Sequence, residues 1–184
     1  MINIFVGLIF VFFKTNLSFL DIGVTYYVTN IIGYMSIYLG INELGKTNQK
    51  LLKIRPYIII MIAHSLIFFL LNITDNSPLK VALSSTPEVI IALVGFVFII
   101  AGMFLVFVII SLILDNLISK ANKELLYNQV NMMMLLFILS GISTYFQNYI
   151  PMLATVIMGA LLVMEVLFLI SYYYVFRSKD EKYT

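Results

Sequence analysis

One carboxylate stands apart from every other charged group in this chain. Glu165 lies between Leu161-Leu162-Val163-Met164 and Val166-Leu167-Phe168-Leu169. A carboxylate at the centre of a membrane helix costs roughly 2.5–3.5 kcal/mol on insertion scales. Such a group must face protein or water and find a partner there. The chemistry it offers is a proton- or cation-linked site, a ligand contact, or a structural hydrogen bond between helices. His64, the sole histidine, sits in the apolar run Ile58 to Leu71. Asn30 shares its segment with Gly33, Tyr34, Ser36 and Gly40. Glu165, His64 and Asn30 are therefore the candidate intramembrane polar site, with His64 the leading partner for Glu165 and Asn30, Ser140 and Thr144 the alternatives.

Several chemistries are excluded by composition. The 184 residues include no cysteine, so there are no disulfides, thiolate metal sites or cysteine nucleophiles. One histidine does not build a zinc site, and no metal-binding or cofactor motif is present. Ser140, Gly141, Ser143 and Thr144 have no paired carboxylate or lysine beside them in sequence. A catalytic role is not expected. The net charge of +2, with no long basic block, gives no reason to expect nucleic acid.

The elements that must hold these residues are membrane helices. The hydrophobic set makes up 62% of the chain and charged residues 11%, about half the share of a soluble domain. A hydrocarbon core about 30 Å thick needs roughly 20 apolar residues per helix. Six segments qualify: 2–20, 24–41, 57–73, 89–114, 130–146 and 152–176. The expected fold is an all-α bundle of six transmembrane helices in one integral membrane domain spanning 1–184. The start of the chain lacks a basic n-region and a small-residue cleavage site, which reads as a retained span rather than a signal peptide. Lys14 leaves open whether residues 14–23 continue that span or lie along the interface.

Turn residues punctuate the segments. Asp75-Asn76-Ser77-Pro78 and Ser84-Ser85-Thr86-Pro87 break the chain before the fourth helix, where Thr86 is the expected N-cap. Gln147-Asn148-Tyr149-Ile150-Pro151 is short enough to force an antiparallel hairpin. Gly33, Gly40, Gly95 and Gly102 recur at helical spacing and predict close helix contacts. Tryptophan is absent, so the tyrosines are expected to form the interfacial belt.

Lysine and arginine set the orientation. The 42–56 linker, the 115–129 linker and the tail hold nine of them, and the opposite side holds only Lys14 and Lys80. With an even number of spans, both termini lie in the cytoplasm. Isoleucine occurs 28 times against 7 alanines, and lysine 9 times against 2 arginines. That bias points to an AT-rich genome and so to a bacterial cytoplasmic membrane.

The second segment carries a resemblance. Val28-Thr29-Asn30-Ile31-Ile32-Gly33-Tyr34-Met35-Ser36-Ile37-Tyr38-Leu39-Gly40, with Leu52-Lys53-Ile54-Arg55-Pro56 after it, resembles a small uncharacterised family of multi-pass membrane proteins of low-GC Gram-positive bacteria. Thr29-Asn30 stands where that family has Pro-Asp. The resemblance implies a membrane fold and brings no activity with it. Size and six-span layout also look similar to the substrate-binding subunits of energy-coupling-factor transporters, although their Ala-x-x-x-Ala coupling motif is missing from the first helix.

The expected function is that of a non-enzymatic transporter-like or accessory module. Its partners would be the lipid bilayer and either a small-molecule ligand or another membrane protein. The alternative is a membrane partner protein, an immunity or signalling component, working through its cytoplasmic loops.

Overall fold

The computed structural model describes residues 1–12, 23–78, 85–117, 120–145 and 150–180. These residues form six α-helices and one short 3-10 helix, with no strand among them. In chain order they are α1 (Ile2–Phe12), α2 (Val24–Gly45), η1 (Gln49–Ile54), α3 (Arg55–Ile73), α4 (Thr86–Leu117), α5 (Lys120–Tyr145) and α6 (Pro151–Asp180).

Consecutive helices run antiparallel and pack side by side, and α6 closes back onto α1, so the chain makes a ring in sequence order. The α1–α2 pair is the tightest. Both helices bring glycine to the contact: a Cβ on Gly33 would lie 2.8 Å from the Gly7 carbonyl oxygen, and one on Gly40 would lie 3.0 Å from the Ile4 amide. Close backbone approach is what small residues provide between membrane helices, where lipid is as apolar as any side chain. Gly102 and Gly95 are also at contacts, the first against the His64 ring and the second against Pro78. The expectation for the four glycines therefore holds, except that Gly95 meets a proline beyond α3 rather than a helix. Gly7 is a fifth contact glycine.

The interior is filled by Ile4, Leu8, Ile37, Ile41, Ile110, Leu161 and Phe168 among others. The 3-10 turn inserts Leu51 and Ile54 into one end of the ring. That same end gathers the polar links between elements. Asn3 Nδ2 donates to Glu43 at 3.3 Å, and Asn48 Nδ2 donates to the Asn116 carbonyl at 2.9 Å. Lys123 pairs with Asp115, and the Tyr127 hydroxyl donates to the Ser111 carbonyl at 3.1 Å. Gln129 Nε2 donates to Ser171 Oγ at 3.0 Å, tying α5 to α6. The basic segments 46–55 and 120–123 thus lie at one end of the bundle. Lys14 and Lys80, like residues 14–22 as a whole, lie outside the described residues.

Among the described residues, four stretches are long and apolar enough to cross a membrane: Gln49–Ile73, Thr86–Leu117, Lys123–Ser143 and Met152–Phe176. The expected span 24–41 is not among them, and of the expected span 2–20 residues 13–20 lie outside the described residues. Helix α1 is described over 11 residues, about 16 Å at 1.5 Å per residue. Helix α2 has 22 residues, ample length, but tyrosines, threonines, Asn30 and glycines dilute its apolar character.

Other boundaries move too. Helix α5 begins at Lys120, ten residues before the expected 130. The segment 120–129 is polar, yet it is built largely of good helix formers and continues the helix past the apolar stretch. Helix α4 is capped one residue earlier than expected. The Ser85 carbonyl accepts from the Val89 amide and the Ser85 amide donates to Glu88 Oε2 at 2.8 Å, which makes Ser85 the N-cap with Glu88 reaching back to it from three residues on. Nor do the tyrosines form a simple belt: Tyr27, Tyr34 and Tyr172 are buried in the bundle, while Tyr57, Tyr173 and Tyr174 are exposed.

Candidate functional site

Helix α6 positions Glu165. Leu161, Glu165, Phe168, Tyr172 and Phe176 are all buried, and their spacing of three and four residues places them on one helical face. Val163, Val166, Leu167 and Ile170 occupy the opposite face and are exposed. The carboxylate therefore points into the ring, 5% exposed.

It lines a partly open cavity whose other walls come from four more helices. Phe12 enters from α1, Tyr26 from α2, Met103 and Phe107 from α4, Phe137 from α5, and Met158 sits one and a half to two turns before Glu165 on α6. The space is about 50 Å³. A single water needs roughly 10–15 Å³ of such space, so the cavity is the size of a few waters. Apart from Glu165 and Tyr26, the lining side chains are hydrocarbon, aromatic or thioether.

Helix α2 supplies the polar neighbours. Tyr26, Asn30 and Tyr34 are spaced four residues apart and so form one stripe along the helix. Tyr26 lines the cavity together with Glu165, and Asn30 lies one turn further along the same face of α2. Asn30 is 3% exposed, and its Oδ1 has no hydrogen-bond partner among the described residues. Ser140 on α5 is fully buried as well; the side chain of Thr144 is outside the described residues.

His64 does not join this group. Its Nε2 donates to the Phe98 carbonyl oxygen on α4 at 3.0 Å, which fixes the proton on that nitrogen because a carbonyl only accepts. The ring packs on Phe68 at 4.7 Å between centroids. It fills the space left by Gly102, where a Cβ would sit 2.5 Å from Cε1. His64 is thus a lock between α3 and α4. The matched depth of the two residues is real in sequence terms, but α3 lies on a different part of the ring and contributes nothing to the cavity wall. The hydrogen bond that His64 makes is to Phe98, and among the three candidate residues Glu165 alone lines the cavity, with Tyr26 on the same wall.

Tyr26 was not an obvious site residue, because a tyrosine near a helix end reads as an interfacial anchor. The signal that identifies it is its four-residue spacing from Asn30 and Tyr34. Met103 and Met158 carry no such signal. No group of three or more histidine, cysteine or acidic residues suited to a metal occurs among the described residues. Compared with protein-family models, characterised proteins and solved structures, the chain matches none.

Proposed function

We propose that this chain is a bacterial cytoplasmic-membrane protein in which all six helices of the ring are spans and both termini lie in the cytoplasm. Its role is that of a non-enzymatic transporter-like or accessory module that holds a small ligand at an intramembrane polar site. The observation that carries the reading is the position of Glu165: a buried carboxylate on the wall of a cavity that Tyr26 also lines. A helix that only needed to pack would carry leucine there and avoid the insertion cost. The gathering of the basic segments at one end supports the orientation, since lysine and arginine are retained on the cytoplasmic side.

The test is modification of the purified protein, in lipid vesicles, by dicyclohexylcarbodiimide, a hydrophobic reagent for carboxyl groups in apolar surroundings. Mass spectrometry should find the adduct at Glu165 and find that peptide unmodified in Glu165→Gln. An unreactive Glu165 in the folded wild-type protein would mean a sealed structural contact and would overturn the reading of an accessible site.

A further inference from the structure

The junction between α2 and α3 gathers cations that have no counter-charge. Residues 46–55 hold Lys46, Lys50, Lys53 and Arg55 and no acidic residue. Among the described residues no carboxylate forms an ion pair with any of the four. Glu43 and Asp115, acids of the same end of the bundle, are engaged elsewhere: Glu43 accepts from Asn3, and Asp115 pairs with Lys123.

The geometry of η1 fixes where these charges stand. On a 3-10 helix side chains three residues apart eclipse one another, about 6 Å apart along the axis. Leu51 and Ile54 form one such row and are sunk in the bundle. Lys50 and Lys53 form the next row and are exposed. The turn is clamped at its start: Asn48 Nδ2 donates to the Asn116 carbonyl at 2.9 Å, and Asn48 Oδ1 accepts from the Lys50 amide at 3.2 Å. Arg55 follows as the first residue of α3. It is partly buried, and its Nε is buried with no hydrogen-bond partner among the described residues. A buried donor without an acceptor is costly, the more so on a cation. The acceptors that match a guanidinium fork are phosphate and carboxylate groups.

The depth of the cluster selects the anion. Helix α3 has 19 residues, Arg55–Ile73, about 28 Å at 1.5 Å per residue, which matches a hydrocarbon core about 30 Å thick. A spanning α3 therefore puts Arg55 at headgroup level. Tyr57 is exposed two residues further on, an amphipathic ring of the kind that settles at the interface. Ile59 and Ile60 are exposed directly after it. Cations above bare hydrocarbon match an amphiphile, whereas a soluble polyanion would leave the apolar part unused. We propose that the α2–α3 junction binds the phosphate headgroup of an anionic phospholipid, held by Arg55, Lys50 and Lys53, with its acyl chains along the exposed face of α3. Basic residues beside a membrane each add attraction for anionic lipid, and the clamped turn concentrates that attraction at one place. The site is independent of Glu165.

The experiment titrates the full chain in non-ionic detergent with dioctanoylphosphatidylglycerol, with dioctanoylphosphatidylcholine as the zwitterionic control, and counts bound lipid by native mass spectrometry. The anionic lipid should bind at least about tenfold more tightly than the control. Arg55→Gln should weaken it at least about tenfold, as loss of a charge-assisted contact does, and Lys50→Gln combined with Lys53→Gln should do the same. Lys123→Gln removes an equal charge from the same end, but from a lysine already paired with Asp115, and should change the affinity less than about threefold. Equal binding of the two lipids overturns the proposal, as does a loss in Arg55→Gln no larger than in Lys123→Gln. Displacement of the lipid by millimolar inorganic phosphate would put a soluble anion in the site and overturn the lipid assignment. Should Arg55→Gln fail to fold, the double lysine variant, altered only at exposed positions, decides in its place.

Discussion

The contact of α1 with α2 gives a prediction whose size follows from the coordinates. In Gly33→Ala the new Cβ would lie 2.8 Å from the Gly7 carbonyl oxygen and 3.0 Å from the Val11 amide nitrogen, both backbone atoms of α1. Ordinary contact starts near 3.4 Å, so α1 must withdraw by about 0.6 Å. A gap of that order already forfeits a quarter to a half of each dispersion contact across the pair. Ile4, Leu8 and Val11 on one side and Ile37 and Ile41 on the other are buried at this seam. The loss is put at about 1–3 kcal/mol, the usual cost of overpacking. Alanine also favours the helix over glycine by roughly 1 kcal/mol, which acts in the opposite direction and must be measured separately. Gly159→Ala supplies that reference, because a Cβ there meets nothing within 4 Å. Thermal unfolding in detergent, followed by circular dichroism, should therefore place Gly33→Ala below Gly159→Ala by about 2–12 °C, taking about 2–4 °C per kcal/mol for a chain of this size. Equal melting temperatures for the two variants would refute the close-packed α1–α2 seam.

Three other outcomes are expected. In the cysteine-free background, a cysteine at Lys50 should react with an impermeant maleimide only after the cytoplasmic face is opened, and one at Asn76 should react in intact cells. A double-mutant cycle of Gln129→Leu and Ser171→Ala should give a coupling of about 0.6 kcal/mol, the average for a hydrogen bond between membrane helices; a coupling of zero would mean that the Gln129–Ser171 bond is not formed. Lys123→Ala should lower stability by no more than about 1 kcal/mol, because the pair it forms with Asp115 is substantially solvent-exposed, and a larger loss would show that this end of α4 is more tightly held than the geometry indicates.

Much of this architecture is legible in the sequence, because length and apolarity are what a bilayer selects. The apolar cores of α3, α4, α5 and α6 fall where hydropathy places them. Hydropathy is silent on how far a helix runs beyond its apolar stretch, and so it missed the ten largely polar residues, 120–129, that extend α5. Average hydropathy also says nothing of which face of a helix is polar: α2 carries Asn30 and Tyr34 on a buried face. The inward orientation of Glu165 was readable, since an apolar flank on both sides leaves a carboxylate no tolerable alternative. Its neighbours were not. Depth along a helix follows from counting residues, but which helices share a wall depends on the closure of the ring, and that put Tyr26 on the cavity wall with Glu165 and sent His64 to Phe98 and Gly102. Gly7 was missed because a lone glycine in an apolar helix shows its purpose only when Gly33 is seen opposite.

The central claim is that Glu165 faces the interior of a bundle that sits in the membrane. Single cysteines at Leu161, Val163, Glu165, Val166, Leu167, Phe168 and Ile170, each carrying a nitroxide in lipid vesicles, test it through collisional broadening by oxygen, which concentrates in the bilayer. Labels at 163, 166, 167 and 170 should be strongly broadened, and those at 161, 165 and 168 weakly, following the two faces of α6. Strong oxygen access at 165 together with shielding at 163 and 167 would contradict the account.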